Sequence, residues 1–277
     1  MATVVRKIEM EETKLTKTTT LSTFHLASKF FKQSIVIISL LLLWEFAPRL
    51  GFVNPEYLPP FLQVLDAWRE MLITGELWTH FSTSITRSIY GFLLALAVGI
   101  PLGLLIGWYP LMNELLNPAF EVYRNTATLA LLPVFMLVLG IGEASKIAIV
   151  FYACTAEILL HTIAGVKNVD PLLIKSARSM NLSSYKLFTK VVLPAALPTI
   201  FVGIRMAGTG CILILMAAEM IGAKAGLGYL ITFAQHNFQI AKMFAGILTI
   251  SMLGLLVNIG LTSLERRVSR WQQHPNA

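Results

Sequence analysis

Glu157 and His161 stand four residues apart in an otherwise apolar run. On a helix they share one face, a spacing that suits either a polar contact with a passing solute or a mutual pairing that ties helices together. A charge at the centre of a bilayer costs about 2.5 to 3.5 kcal/mol even on the lenient insertion scale, so the pair is expected to look inward. Asn125, Thr126 and Thr128 form a second polar group, with amide and hydroxyl donors but no formal charge, suited to brief contact with a small oxyanion. Glu219 falls near the outer end of another apolar stretch, in reach of Lys224 or of an external docking protein. All six are expected to face inward, where side chains line any path through a bundle of helices. Arg205 lies near enough to the inner interface to snorkel. No catalytic residue is expected. A phosphate loop of Gly, four residues, Gly-Lys and Ser or Thr is missing from the sequence, so nucleotide is not expected to bind here. Cys154 and Cys211 lie inside apolar runs and read as small hydrophobes, and the histidines are too scattered for a metal site.

The elements that must position these groups follow from composition. Of 277 residues, 56% are hydrophobic and 13% charged, against about 25% charged in a soluble domain. That excludes a soluble globule, a disordered chain and a secreted disulfide scaffold. The net charge of +7 is not gathered on a soluble face, as a nucleic-acid binder would require, because Lys and Arg flank apolar segments instead. Six stretches have the length and polarity of membrane spans: 34–52, 84–108, 119–140, 147–166, 195–221 and 243–264. The third is polar in its first half and interrupted by Pro133. Most of the 22 basic residues fall on the side shared by the N-terminus, the 167–194 loop and the C-terminus, which the positive-inside rule makes cytoplasmic. The expected fold class is therefore all-α, a polytopic helical bundle with both termini cytoplasmic. Residues 1–33 form a cytoplasmic tail, 53–83 an external loop, 84–264 the core and 265–277 a second cytoplasmic tail. In the external loop, Phe61, Leu62, Leu65, Trp68, Met71 and Leu72 recur at helical spacing, predicting a short amphipathic helix that either lies on the membrane surface or covers the bundle as a lid. Gly99, Gly103 and Gly107 make a small-residue stripe for close helix packing, and Pro101 within it frees a backbone carbonyl.

The 167–194 loop has the most specific pattern. Asp170 followed by Pro171 is an N-cap and first-position pair, and Asn181 tolerates the left-handed conformation that ends a helix. Ser183 is placed to cap a second short helix, and Pro194 to mark the turn into the fifth span. The loop is predicted to be helix, sharp turn, helix, with five basic residues and one acid. Small Ser176 and Ala177 would let a partner approach closely.

This loop resembles the signature of the membrane subunits of binding-protein-dependent ABC importers, which reads Glu-Ala-Ala, three residues, Gly, nine residues, Ile, one residue, Leu-Pro. Lys175, Ser176 and Ala177 fall at the triplet, Asn181 at the Gly, Val191 at the Ile, and Leu193 with Pro194 at the end. Lys175 reverses the charge of an acid, and Asn181 replaces the Gly. Further segments are similar to permeases for nitrate, sulfonate, taurine and bicarbonate: Thr86-Arg87-Ser88, Gly99-Ile100-Pro101-Leu102-Gly103, Leu132-Pro133, Gly140-Ile141-Gly142-Glu143, Gly203-Ile204-Arg205, and Ala217-Ala218-Glu219-Met220 followed by Gly226-Leu227-Gly228. The resemblance implies a type I (MetI-like) permease core that imports a small anionic solute across the inner membrane, sulfonates being preferred. It implies a permease homodimer in the bilayer, two ATPase subunits that use ATP and magnesium, and an extracytoplasmic solute-binding protein. Pro171, Lys175, Ser176, Ala177, Arg178, Met180, Asn181, Leu193 and Pro194 would then carry the coupling to the ATPase. The alternatives are a permease for another solute, such as a vitamin precursor, and a membrane-embedded enzyme using Glu157 and His161.

Overall fold

The computed structural model describes residues 35–268, and every regular element in that range is helical. The expected tail at 1–33, residue 34 of the first span and positions 269–277 of the C-terminal tail lie outside the described residues. The chain divides into two compact units, Met1–Asp66 and Ala67–Ala277.

In the first unit, helix α1 occupies 35–49 and ends beside an ion pair between Glu45 and Arg49. Asn54 then folds the chain back, its Oδ1 accepting from the Glu56 amide at 3.0 Å. The Trp44 indole donates to the Pro59 carbonyl at 3.1 Å and its ring lies 5.4 Å from that of Phe61. Helix α2, Phe61–Ile73, is the amphipathic helix expected from its spacing, and it continues into the second unit.

The second unit is built on α3 (Glu76–Trp108), α6 (Glu143–Lys167), α9 (Leu193–Met220) and α11 (Ile240–Val268). All four are long and apolar enough to cross a membrane, α9 together with the turns from Ser184 that lead into it. Between them lie α4 (Pro110–Asn125), a 3-10 turn (Thr128–Leu131), α5 (Leu132–Leu139), α7 (Pro171–Ser179), α8 (Ser184–Leu187) and α10 (Leu227–His236). α4 and the segment Thr128–Leu139 meet at 88° and supply a fifth crossing if they count as one span.

Packing follows the small residues. Any Cβ placed on Gly91, Gly99, Gly103 or Gly107 of α3 would lie 2.6 to 3.0 Å from Val150, Ile158, Thr162 or Val166 of α6. Lipid tails are as apolar as Leu, so helices in a bilayer gain little by merely touching, and close van der Waals approach has to supply the attraction. The glycine stripe supplies it along most of α3. On its other side α6 meets α9 in the same way, Gly165 against Ala196 and Thr199, and Gly203 against His161. Pro101 stays within the continuous α3.

Of the six expected spans, the first is represented among the described residues by α1 at 35–49 alone, which is not among the helices long and apolar enough to cross. The second and third differ in their bounds. α3 begins at Glu76 rather than near 84, because its polar first turns satisfy themselves: Thr83 donates to the Thr79 carbonyl and Thr86 to that of Ser82, both at 2.8 Å. The stretch expected as one span at 119–140 is instead the bent pair. Asn125 and Thr126 return hydrogen bonds to the Glu121 and Val122 carbonyls at 2.7 and 2.8 Å, competing with the helical ladder. Thr126 and Ala127 then adopt extended backbone, and Pro133 sits in the first turn of the helix that follows.

Candidate functional site

The 167–194 loop projects from the ends of α6 and α9 and packs against them. Asp170 caps α7 through its carboxylate, which accepts the Leu172 amide at 2.8 Å, and Pro171 starts the helix. The helix closes on Asn181, whose φ of 57° is left-handed. Around it the Leu182 amide donates to the Ala177 carbonyl and the Asn181 amide to that of Arg178, the paired 6→1 and 5→2 bonds of a Schellman ending. Buried Val166, Val169, Val192, Ala196 and Ile200, with Ile174 and Phe188 packed against them, hold the loop to the bundle. Ala177 faces inward, whereas Lys175, Ser176 and Arg178 are exposed alongside Leu172, Met180 and Tyr185. The projection thus shows apolar and cationic side chains next to one another.

Two expectations about this loop are corrected. Ser183 occupies the N-cap position of α8, but its side chain makes no capping bond. Pro194 does not mark a turn: the helix runs unbroken from Ser184 to Met220. The strain of an internal proline, which has no amide hydrogen and crowds the carbonyl four residues earlier, is taken up by a π-helical segment at Phe188–Val192. There the Leu193 amide reaches back to the Phe188 carbonyl, and Pro194 falls in the first turn of α9.

The expected path residues do not converge on one point. Asn125 and Thr126 spend their donors on their own helix, and Thr128 opens the 3-10 turn. Reciprocal bonds from the Tyr123 and Tyr152 hydroxyls to each other's carbonyls tie α4 to α6, with the rings edge to face at 4.4 Å. His161 Nδ1 lies 3.2 Å from the Glu157 carbonyl and 4.0 Å from its carboxylate. The Glu157 side chain remains 46% exposed, while His161 packs against Gly203 of α9. Arg205 pairs with Glu265 of α11 at 2.8 Å.

Glu219 is placed elsewhere altogether. Its side chain is wholly buried, and its partner is Arg87 rather than Lys224. The carboxylate accepts from Arg87 Nη1 at 2.7 Å, from Ser84 Oγ at 2.8 Å and from the Gly228 amide at 3.0 Å. Ser84 in turn accepts the Leu227 amide at 2.9 Å, and His80 Nδ1 accepts that of Gly226 at 3.2 Å. The start of α10 is thus bound to α3 and α9 through one internal anion, the favourable sign at a helix N-terminus. Only glycines allow it: a Cβ on Gly226 would fall 2.3 Å from the Glu219 carboxyl carbon, and one on Gly228 would fall 2.4 Å from the Met216 carbonyl oxygen.

Arg87, 3% exposed, also donates to the Ala225 carbonyl at 2.8 Å. Its Nε and Nη2 form a bidentate pair with Glu143 at 2.5 Å each, and Glu143 is 64% exposed at the first turn of α6. Buried Lys146 completes the cluster, its ammonium 3.3 Å from the Gly142 carbonyl and 3.5 Å from that of Gly222. Sequence reasoning treated Arg87 and Lys146 as flanking charges of separate spans. The available signal was Arg87 itself, set between Thr86 and Ser88 with no acidic residue near it in sequence. Among the described residues no group of three metal-ligating side chains occurs.

The described residues thus form an all-helical bundle with membrane-crossing helices, a capped helix-turn-helix between two close-packed spans and a largely buried polar cluster at their far ends. Comparison with known proteins gives its class: a transport permease subunit. Residues 99–270 match the family described as binding-protein-dependent transport system inner membrane component, and the chain belongs to it. Among its relatives, the taurine transport system permease protein TauC of Escherichia coli (strain K12) is 35% identical over 84% of this chain and 86% of that protein. The putative aliphatic sulfonates transport permease protein SsuC of Bacillus subtilis (strain 168) is 33% identical over 83% of each. The bicarbonate transport system permease protein CmpB of a Synechocystis species is 30% identical over 85% of this chain and 88% of that protein. In fold, the chain resembles a subunit of the MetNI methionine ABC transporter, with a TM-score of 0.60 at 17% identity over 67% of this chain and 93% of that one. This is a multi-pass inner-membrane transport subunit of an ABC importer and not an enzyme. ATP hydrolysis belongs to a separate subunit.

Proposed function

We propose that this chain forms the translocation path for a small sulfonate-type solute, pairing with a second copy around one central route, with both termini cytoplasmic. The relatives that carry taurine and aliphatic sulfonates support the solute class. The coupling loop carries the mechanism: α7 presents exposed Lys175 and Arg178 beside Leu172 and Met180, on a base packed against α6 and α9. ATP binding would close the ATPase pair, α7 would follow the surface on which it docks, and the attached spans would tilt between inward-open and outward-open states. ATP and magnesium stay with the ATPase, and initial solute affinity resides in the extracytoplasmic binding protein.

Deleting 175–181 should abolish ATPase association and uptake while the protein still inserts, and retained association would refute the coupling assignment. The solute class is tested separately. Calorimetric titration of the cognate binding protein with taurine, an alkanesulfonate, nitrate and bicarbonate should give its tightest binding with a sulfonate, and preference for bicarbonate or nitrate would reassign the cargo.

A further inference from the structure

The polar cluster and the coupling loop are the two ends of one rod. α6 is unbroken from Glu143 to Lys167, roughly 37 Å at 1.5 Å per residue, with Glu143 in its first turn and α7 just beyond its last. Between these ends α6 is keyed to α3 through the glycine stripe and to α9 through Gly165 and Gly203. The side chains in those seams are short or branched, so the three helices cannot slide past one another without losing contact. A displacement applied at α7 therefore either tilts the three helices together or splays them at the far end. What opposes splaying is Arg87, which joins α3 to α6 through Glu143, to α9 through Glu219 and to the following loop through the Ala225 carbonyl.

The two carboxylates have different parts. Glu219 is enclosed, and its loss would leave a buried guanidinium undercompensated and the start of α10 untethered, which is a folding defect. Glu143 is largely in water, and its loss leaves Arg87 still bonded to Glu219 and Ala225. Sealing the cluster does not require Glu143; bracing α6 does.

We propose that Glu143 and Arg87 are positioning residues of the transport cycle: they clamp the outer end of α6 to α3 and α9, so that motion delivered at α7 reaches the outer ends as a rigid tilt. This rests on the coupling reading of the loop. The experiment uses the permease assembled with its ATPase and binding protein in proteoliposomes, with ATP hydrolysis and taurine uptake measured on the same vesicles. ATP-driven uptake by the wild type and its loss on deleting 175–181 establish coupling through the loop, and failure of either rejects that reading whatever the clamp does. Given both, Glu143→Gln should assemble at wild-type yield and hydrolyse ATP at the wild-type rate, yet move roughly tenfold fewer solute molecules per ATP, the scale set by one charge-assisted pair. Glu143→Asp should restore most of that ratio. An unchanged ratio overturns the proposal. So does loss of assembly, or a parallel fall of hydrolysis and uptake, because either would make the pair a folding contact alone.

Discussion

Where the 167–194 loop joins α6 to α9, Lys175 and Arg178 are exposed and make no ion pair with the described residues; at the far end of the same helices, Arg87 and Glu219 are buried and paired with each other. Lys175 and Arg178 project from α7, whereas Arg87, Glu219 and Lys146 are enclosed and Ser84 satisfies an amide and a carboxylate at once. The exposed cations of the loop remain solvated and cost the fold nothing, whereas a buried charge is tolerable only with its hydrogen bonds complete. Position in the fold, not residue type, decides whether a charge faces outward or builds inward.

Mutations can break or sharpen this contrast. The largest effect is expected from Glu219→Ala, which strips a buried guanidinium of its enclosed partner and should lower stability by about 3 to 5 kcal/mol, read as a sharply lower unfolding temperature in detergent. Gly228→Ala should follow, since the new methyl meets the Met216 carbonyl at the start of α10; overpacking of this kind costs about 1 to 3 kcal/mol, and α10 should lose protection from hydrogen exchange. At the coupling end, Asp170→Ala removes the cap of α7 at about 1 kcal/mol, so ATPase affinity should weaken several-fold with the unfolding temperature little changed. Arg178→Ala should leave the melting curve where it is and reduce ATPase association in a pull-down, and a lowered unfolding temperature would dissolve the distinction between the two ends. Smallest of all, the isosteric Thr126→Val with Thr128→Val should slow uptake only modestly, because Thr126 already donates to the Val122 carbonyl. Uptake at the full wild-type rate would remove both residues from the path.

The shape of the 167–194 loop was legible in the sequence because its determinants are local. Asp170, Pro171 and Asn181 act on backbone within a few residues, so their spacing alone predicts where α7 starts and ends. The glycine stripe was legible for a similar reason, being periodic on one helix. Pro194 misled because a proline announces a missing donor but not how it is absorbed, and the π-helical segment absorbs it inside a continuous helix. The break after Asn125 was visible as polarity, but its sharpness depends on side chains that turn back to their own carbonyls. For Glu219 the sequence offered Lys224 or an external protein as partners, because Lys224 is close along the chain, while Arg87, which it meets, is 132 residues away.

Composition alone placed the chain in a membrane, and bonds within a few residues marked where a capped loop interrupts its helices; the number of crossings and the sharpness of the bend after Asn125 were not legible there. Which charges meet is settled by packing. A guanidinium and two carboxylates on three different helices have no common signature along the chain, and the glycines that admit Glu219 beneath α10 acquire their purpose only once the helices have packed.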